Sequence, residues 1–230
     1  MASKIHINPS ILNANFDDLE NEIQKITSVS DALHLDVMDN QFVPNFTFDI
    51  ARAFEIINFS KLPVDAHLMI CDPDSIAPKY AEQGTNSVTF HFEAANHVAS
   101  TISNIRSNGA KVGLAIKPAT SFQEIEKFMA DIDMLLIMTV EPGFGGQSFM
   151  HDQMVKVRTA RAHIENMKKE KPLLQIDGGV SLDTIAEAAW LEPIVLLPVA
   201  LSINQQTQQR WLISFANWLL RILHLKIDSH

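Results

Sequence analysis

Short apolar runs rich in β-branched residues alternate with longer amphipathic segments through most of this 230-residue chain. No other feature of the sequence narrows the fold as far. Strands are predicted over 5–10, 32–38, 64–70, 87–92, 112–116, 134–140 and 173–177. Helices are predicted over 16–28, 48–59, 74–83, 97–108, 122–130, 152–170 and 182–189. Asp17 or Asp18 opens the first helix, Pro73 leads into the third, Gly109 stops the fourth and Pro172 ends the sixth. Seven strand–helix units precede residue 190, with room for an eighth. Eight such units in about 200–250 residues make a (β/α)8 TIM barrel, with a doubly wound open sheet as the structural rival. A hydrophobic content of 47% suits one domain spanning 1–230.

Charge and composition exclude several classes of function. A formal net charge of −9 provides no basic field for holding nucleic acid, although backbone N–H groups can still bind a small phosphate locally. The single cysteine, Cys71, rules out an intramolecular disulfide and suits a reducing compartment. Neither a signal peptide nor a membrane-spanning run is visible, so a cytoplasmic protein with no membrane partner is expected.

The chemistry concentrates in the second strand. Side chains alternate between two faces of a strand, so His34, Asp36 and Met38 point one way and Leu33, Leu35 and Val37 the other. A carboxylate and an imidazole inside an apolar strand are costly to bury without partners. Candidate partners stand where a barrel collects its catalytic groups, at the C-terminal ends of strands: Ser10, His67, His91, Met138 and Asp177. Two His and two Asp from three strands (His34, Asp36, His67, Asp177) can converge on one divalent cation. Mixed nitrogen and oxygen ligation favours zinc, iron(II), manganese or cobalt over calcium. Asp36 and Asp177, approaching from different strands, suggest an acid–base pair that removes a proton from carbon on one face and returns one on the other. Glycine-rich turns follow the sixth and seventh strands, Gly143-Phe144-Gly145-Gly146 and Gly178-Gly179. Their backbones can approach a phosphate closely. Met38, Met69 and Met138 line the same region, as core filling or as the wall of a low-dielectric pocket.

The segments carrying these residues are long: Asn8-Pro9-Ser10-Ile11-Leu12, "HLDVMDNQFVPN" from His34, "DAHLM" from Asp65, "HFEA" from His91, "GLAIKPAT" from Gly113, "MTVEPGFGGQSF" from Met138 and "QIDGGV" from Gln175. Together they resemble the ribulose-phosphate 3-epimerase family of the pentose phosphate pathway, over about residues 5–189. Gln41 is one departure, standing where the family usually has a His. The resemblance implies a (β/α)8 barrel that interconverts D-ribulose 5-phosphate and D-xylulose 5-phosphate through an enediolate. It implies His34, Asp36, His67 and Asp177 as metal ligands and Asp36 with Asp177 as the acid–base pair. It implies substrate contacts from Ser10, His67, Gly143, Phe144, Gly145, Gly146, Asp177, Gly178 and Gly179. A related ketose phosphate such as allulose 6-phosphate would use the same catalytic set. The partner expected is a small sugar phosphate, and a homo-oligomer is left open.

The likeness ends at Ala189. The family continues into an "AGAD" turn and an eighth strand ending in a phosphate-binding Gly-Ser pair. This chain instead runs Trp190 to Ala200 with Pro198 and Val199 at those two positions. Proline has no N–H to donate. Joining the third base of each codon here to the first two of the next permits "AGADSFVAGSA", so residues 190–230 read as a frameshifted tail. An atypical eighth strand and last helix are therefore expected, with a weakened phosphate grip and lowered stability. An inactive chain that only binds metal or sugar phosphate is the contrasting expectation.

Overall fold

The computed structural model describes residues 6–168, 170–181, 184 and 194–197, the last four as backbone. The helix expected over 182–189, Thr184 apart, and the whole segment after 197, including Pro198, Val199 and the last helix, lie outside the described residues.

Eight strands form one parallel sheet: β1 (His6–Ile7), β2 (Leu33–Met38), β3 (Val64–Met69), β4 (Ser87–His91), β5 (Lys111–Ile116), β6 (Met134–Met138), β7 (Leu173–Asp177) and β8 (Ile194–Leu197). Each strand from β2 to β7 pairs with its successor, and β8 lies between β7 and β1. The two edges meet where Ser10, just beyond β1, bridges in parallel to His34 of β2. The doubly wound sheet is thereby excluded and the chain is a (β/α)8 barrel. Between the strands run α1 (Leu19–Ile26), α2 (Ile50–Phe59), α3 (Pro73–Glu82), α4 (Val98–Ser107), α5 (Phe122–Ile125) and α6 (Met154–Asn166).

Local chemistry sets most of these boundaries. Asp49 accepts the Arg52 N–H at 2.8 Å to start α2, and Asp72 accepts the Ser75 N–H at 3.2 Å to start α3 behind Pro73. Ser121 and Glu124 form a reciprocal capping box on α5. Three helices are shorter than their periodicity suggests. Residues 16–18 form a 3-10 turn capped by Asn15, rather than the first turn of α1. Glu126–Phe128 tightens into another 3-10 turn after α5. Met167 is extended and ends α6 before the chain reaches Pro172 and β7.

Strand alternation separates two apolar layers. Leu33, Leu35, Leu68, Val88, Phe90, Leu135, Ile137 and Ile176 face outward and join Ile56, Tyr80, Ile105, Ile125 and Val157 of the helices in one buried cluster. Inside the barrel lie two small clusters, Met38 with Val43 and Met69, and Ala115 with Leu136, Met138 and Val140. Each outward Leu or Ile, fully buried, contributes about 1.5–3 kcal/mol. The inward positions can therefore hold polar groups because the outer layer carries the fold. Among the described residues, no helix is long and apolar enough to cross a membrane.

The interior is tight at Gly113 on β5. A β-carbon there would stand 2.1 Å from Thr89 Oγ1 and 2.9 Å from Thr89 Cβ, on the neighbouring strand. Gly113→Ala is therefore expected to lower stability by about 1–3 kcal/mol through overpacking, read as a shift of the denaturant midpoint.

Candidate active site and metal centre

Two neighbouring strands supply the heart of the site. In the β2–β3 register His34 pairs with Asp65, and Asp36 pairs with His67. Four inward side chains thus alternate acid and imidazole across one ladder. His34 Nδ1 lies 2.9 Å from Asp65 Oδ2, and its Nε2 lies 3.3 Å from Asp36 Oδ1. An ionised carboxylate only accepts, so His34 donates from Nδ1 to Asp65 and, without a cation, from Nε2 toward Asp36. Asp65 is held in turn by the Ser87 hydroxyl at 2.8 Å and the Gln175 amide at 3.1 Å. His67 Nδ1 lies 3.1 Å from Asp36 Oδ1, 3.4 Å from His34 Nε2 and 3.6 Å from Asp177 Oδ2. One ligand atom from each of His34, Asp36, His67 and Asp177 lies within 4.8 Å of the other three, and all four residues are buried.

Asp177 ends β7 directly opposite Met138 at the end of β6. The Thr139 hydroxyl donates to the Asp177 and Gly178 carbonyls, and the Thr139 N–H donates to the Asp177 carbonyl at 2.7 Å. That clamp fixes the turn. Gly178 follows at φ 110°, where a β-carbon would come within 2.3 Å of the Val140 side chain. Ser10 contributes through Asp36: its hydroxyl donates to Asp36 Oδ2 at 2.5 Å and accepts the Leu12 N–H at 3.0 Å.

The glycine turns gather over the same place. A small cavity, about 30 Å³, is lined by Ser10, Asp36, Met38, Met69, Met138 and Asp177 together with Gly143–Gly146 and Gly178–Gly179. The loop after β6 is pinned from both sides. Asn45 donates to the Gly143 carbonyl at 2.8 Å, and Gln147 donates to the carbonyls of Glu141 and Phe144. Phe144 itself stays half exposed at the mouth. Every site residue expected from the sequence thus falls in this cavity or, for His34 and His67, in the polar cluster that Asp36 and Asp177 complete. Asp65, Ser87, Gln175 and the Glu93 carboxylate bonded to His91 were not legible as site residues. Asp65 alone left a trace, two residues before His67 and hence on the same strand face.

Electrostatics divide the two catalytic candidates. Burial alone would push both carboxylates up. For Asp36 the adjoining His34 and His67 imidazoles outweigh burial and hold it well below the usual carboxylate range. For Asp177 burial prevails, reinforced by the Asp36 charge, and its pKa is pushed up to about 6. Burial opposes a charge on His34, but Asp36 and Asp65 on either side hold it well above the usual imidazole range. Burial lowers His91 to about 4. The cluster is thus one strong acceptor, one carboxylate titrating near neutrality and two imidazoles with nitrogens facing them. That donor set fits a divalent cation.

The Asp177 shift carries a stability cost with a defined sign. A carboxyl whose pKa is raised on folding favours the folded state below its unfolded value of 3.8, and that benefit is lost as pH rises through about 6. In metal-free protein at pH 8, Asp177→Asn is therefore expected to raise stability by about 2–3 kcal/mol, a difference that shrinks to well under about 1 kcal/mol at pH 4. Denaturant unfolding at the two pH values measures it.

Comparisons with known proteins agree with this geometry. The sequence profile of the Ribulose-phosphate 3 epimerase family matches residues 6–195. Ribulose-phosphate 3-epimerase of Mycobacterium leprae is 44% identical over 183 residues, covering 80% of this chain and 81% of that one. The enzyme of the same name from Buchnera aphidicola subsp. Schizaphis graminum is 40% identical over 190 residues, covering 81% and 82%. Among solved structures, 3-hexulose-6-phosphate synthase from Salmonella typhimurium superposes with a TM-score of 0.63 over 91% of this chain and 99% of that one. At 14% identity that likeness speaks for the fold alone. With the barrel, the buried His/Asp group and the profile in agreement, this chain belongs to the ribulose-phosphate 3-epimerase family.

Proposed function

We propose that the chain is a metal-dependent epimerase interconverting D-ribulose 5-phosphate and D-xylulose 5-phosphate at C3, with Asp36 and Asp177 as the acid–base pair. The observation that carries this reading is the buried group of His34, Asp36, His67 and Asp177, whose ligand atoms lie within 4.8 Å of one another at the floor of a glycine-lined cavity. His34 and His67 would offer ring nitrogens to a cation that displaces their protons, and the two aspartates oxygens. A bound divalent ion supplies positive charge against the oxyanion that develops on the substrate.

The chain's own residues account for the rest of the chemistry. Epimerisation at C3 needs one carboxylate ready to accept a proton and one carboxylic acid ready to donate one. The pair must exchange roles when the reaction runs backward. Two acids whose environments push their affinities apart meet that need, and Asp36 and Asp177 are such a pair. They come from β2 and β7, on separate arcs of the barrel, which suits attack and return on opposite faces of C3. Ser10, donating to Asp36 Oδ2, keeps the other carboxylate oxygen turned toward the imidazoles. Met38, Met69 and Met138 keep the cavity floor apolar, which strengthens the charges within it. The turns Gly143–Gly146 and Gly178–Gly179 bring backbone to the cavity edge for the phosphate end of the substrate.

Pro198 and Val199 stand at the family's Gly-Ser positions, so the phosphate is held less tightly here, a loss expected in KM. The test is turnover of D-ribulose 5-phosphate by purified protein in D2O, with deuterium at C3 and D-xylulose 5-phosphate as product. Activity should disappear on exhaustive chelation and return with a divalent ion. Asp36→Asn and Asp177→Asn should each lower kcat by about 100-fold or more, and replacing residues 190–200 by "AGADSFVAGSA" should lower KM. Turnover that survives both chelation and Asp177→Asn would contradict the proposal.

A further inference from the structure

His91 is a third fully buried imidazole beside the site, and the acid–base chemistry gives it no task. Its Nε2 lies 2.9 Å from His67 Nε2, on the side of the His67 ring away from the four-donor group. Its Nδ1 lies 3.3 Å from Glu93 Oε2. Glu93 is anchored through its other oxygen, which accepts the Lys117 N–H at 2.7 Å and the Thr120 hydroxyl at 2.5 Å. The His91 ring stacks on His67, with centroids 5.0 Å apart and planes 27° apart, and packs against Phe42 at 4.9 Å.

We propose that Glu93 and His91 form a positioning relay that sets the tautomer of His67, so that its bare Nδ1 faces the four-donor group and can ligate the divalent cation. The relay rests on the reading of that group as a cation site.

Two hydrogen-bond directions are open to the pair of imidazoles. In one, His91 donates from Nε2 to His67. His67 then carries its own hydrogen on Nδ1, where it blocks ligation, and His91 turns a bare Nδ1 to Glu93. Two acceptors would then face each other at 3.3 Å, inside the protein. In the other, His91 donates from Nδ1 to Glu93, accepts at Nε2 from His67, and leaves His67 Nδ1 free. Without a cation, Asp36 can accept from His67 Nδ1 at 3.1 Å; with a cation seated between those two atoms, the ionised Glu93 permits only the second. Glu93, two hydrogen bonds away, therefore favours the ligating tautomer of His67 against the pull of Asp36. His34 reaches the same result by a shorter route, with Asp65 taking the Nδ1 hydrogen and Nε2 left to ligate. Carboxylate partners of ligating imidazoles orient the ring and raise its basicity, and their loss typically lowers metal affinity by about 10–100-fold.

Glu93→Gln is a sharp test because it reverses the arrow. The glutamine carbonyl oxygen stays on Lys117 N–H and Thr120, both donors, so the amide NH2 faces His91 Nδ1 and donates to it. His91 must then donate from Nε2, and His67 is left with its hydrogen on Nδ1. Zinc affinity, read by competition with a chromogenic chelator on the full chain, should fall about 10–100-fold in Glu93→Gln. Glu93→Asp, which keeps the charge, should lose less. In zinc-loaded wild-type protein, two-bond proton–nitrogen correlation should place the hydrogen on Nε2 of His67 and on Nδ1 of His91. Unchanged zinc affinity in Glu93→Gln overturns the relay and leaves the four-donor site standing. Should that variant fail to fold, a hydrogen found on His91 Nε2 in the wild type overturns it equally. A wild-type chain that binds no zinc removes the cation site and the relay together.

Discussion

Everything in this molecule depends on four charged or polarisable side chains held together where water is scarce. His34 and His67 have no exposed surface, and Asp36 and Asp177 are nearly as enclosed. Two carboxylates so placed repel each other, and each resists losing its hydration. The structure answers with asymmetry. Asp36 sits between two imidazoles and a serine hydroxyl, which hold it ionised. Asp177 has a single imidazole nitrogen at 3.6 Å and feels the Asp36 charge, so it keeps its proton to about pH 6. A divalent cation relieves the same conflict directly, which is why the group reads as a cation site and not as a polar defect in the core.

The barrel makes that concentration of charge tolerable. Its outer layer, strand faces against helices, is almost purely aliphatic and aromatic, so the interior is free to be polar at one end. The ladder between β2 and β3 then does the placing. Pairing Asp36 with His67 and His34 with Asp65 puts acid beside imidazole twice, and a one-residue slip of β3 would turn Asp65 and His67 away from their partners. Ser87 and Gln175, from β4 and β7, lock Asp65 in turn, so the support of His34 extends across four strands.

How much of this was legible in the sequence follows from the same physics. Strand alternation placed His34, Asp36 and His67 on an inward face, and the end-of-strand position placed Asp177, because those properties are local. The outward set Leu33, Leu35 and Val37 packed as its period required. What supports these side chains was not legible. Glu93 reaches His91 only after a 3-10 turn folds it back, and its anchors on Lys117 and Thr120 come from the next strand's loop. Asp65 looked like one more letter of a motif until register set it against His34. Helices α5 and α6 stop short of their periodicity at their C-terminal ends, where tertiary routing prevails.

The family assignment and the site geometry meet in one claim: two imidazoles and two carboxylates from β2, β3 and β7 surround a single divalent ion. X-ray absorption on the cobalt(II)-loaded chain tests it most directly. The account predicts one cobalt per chain with nitrogen and oxygen neighbours and the outer-shell scattering of two imidazole rings. A cobalt shell made of oxygen alone, with no imidazole signature, would contradict it.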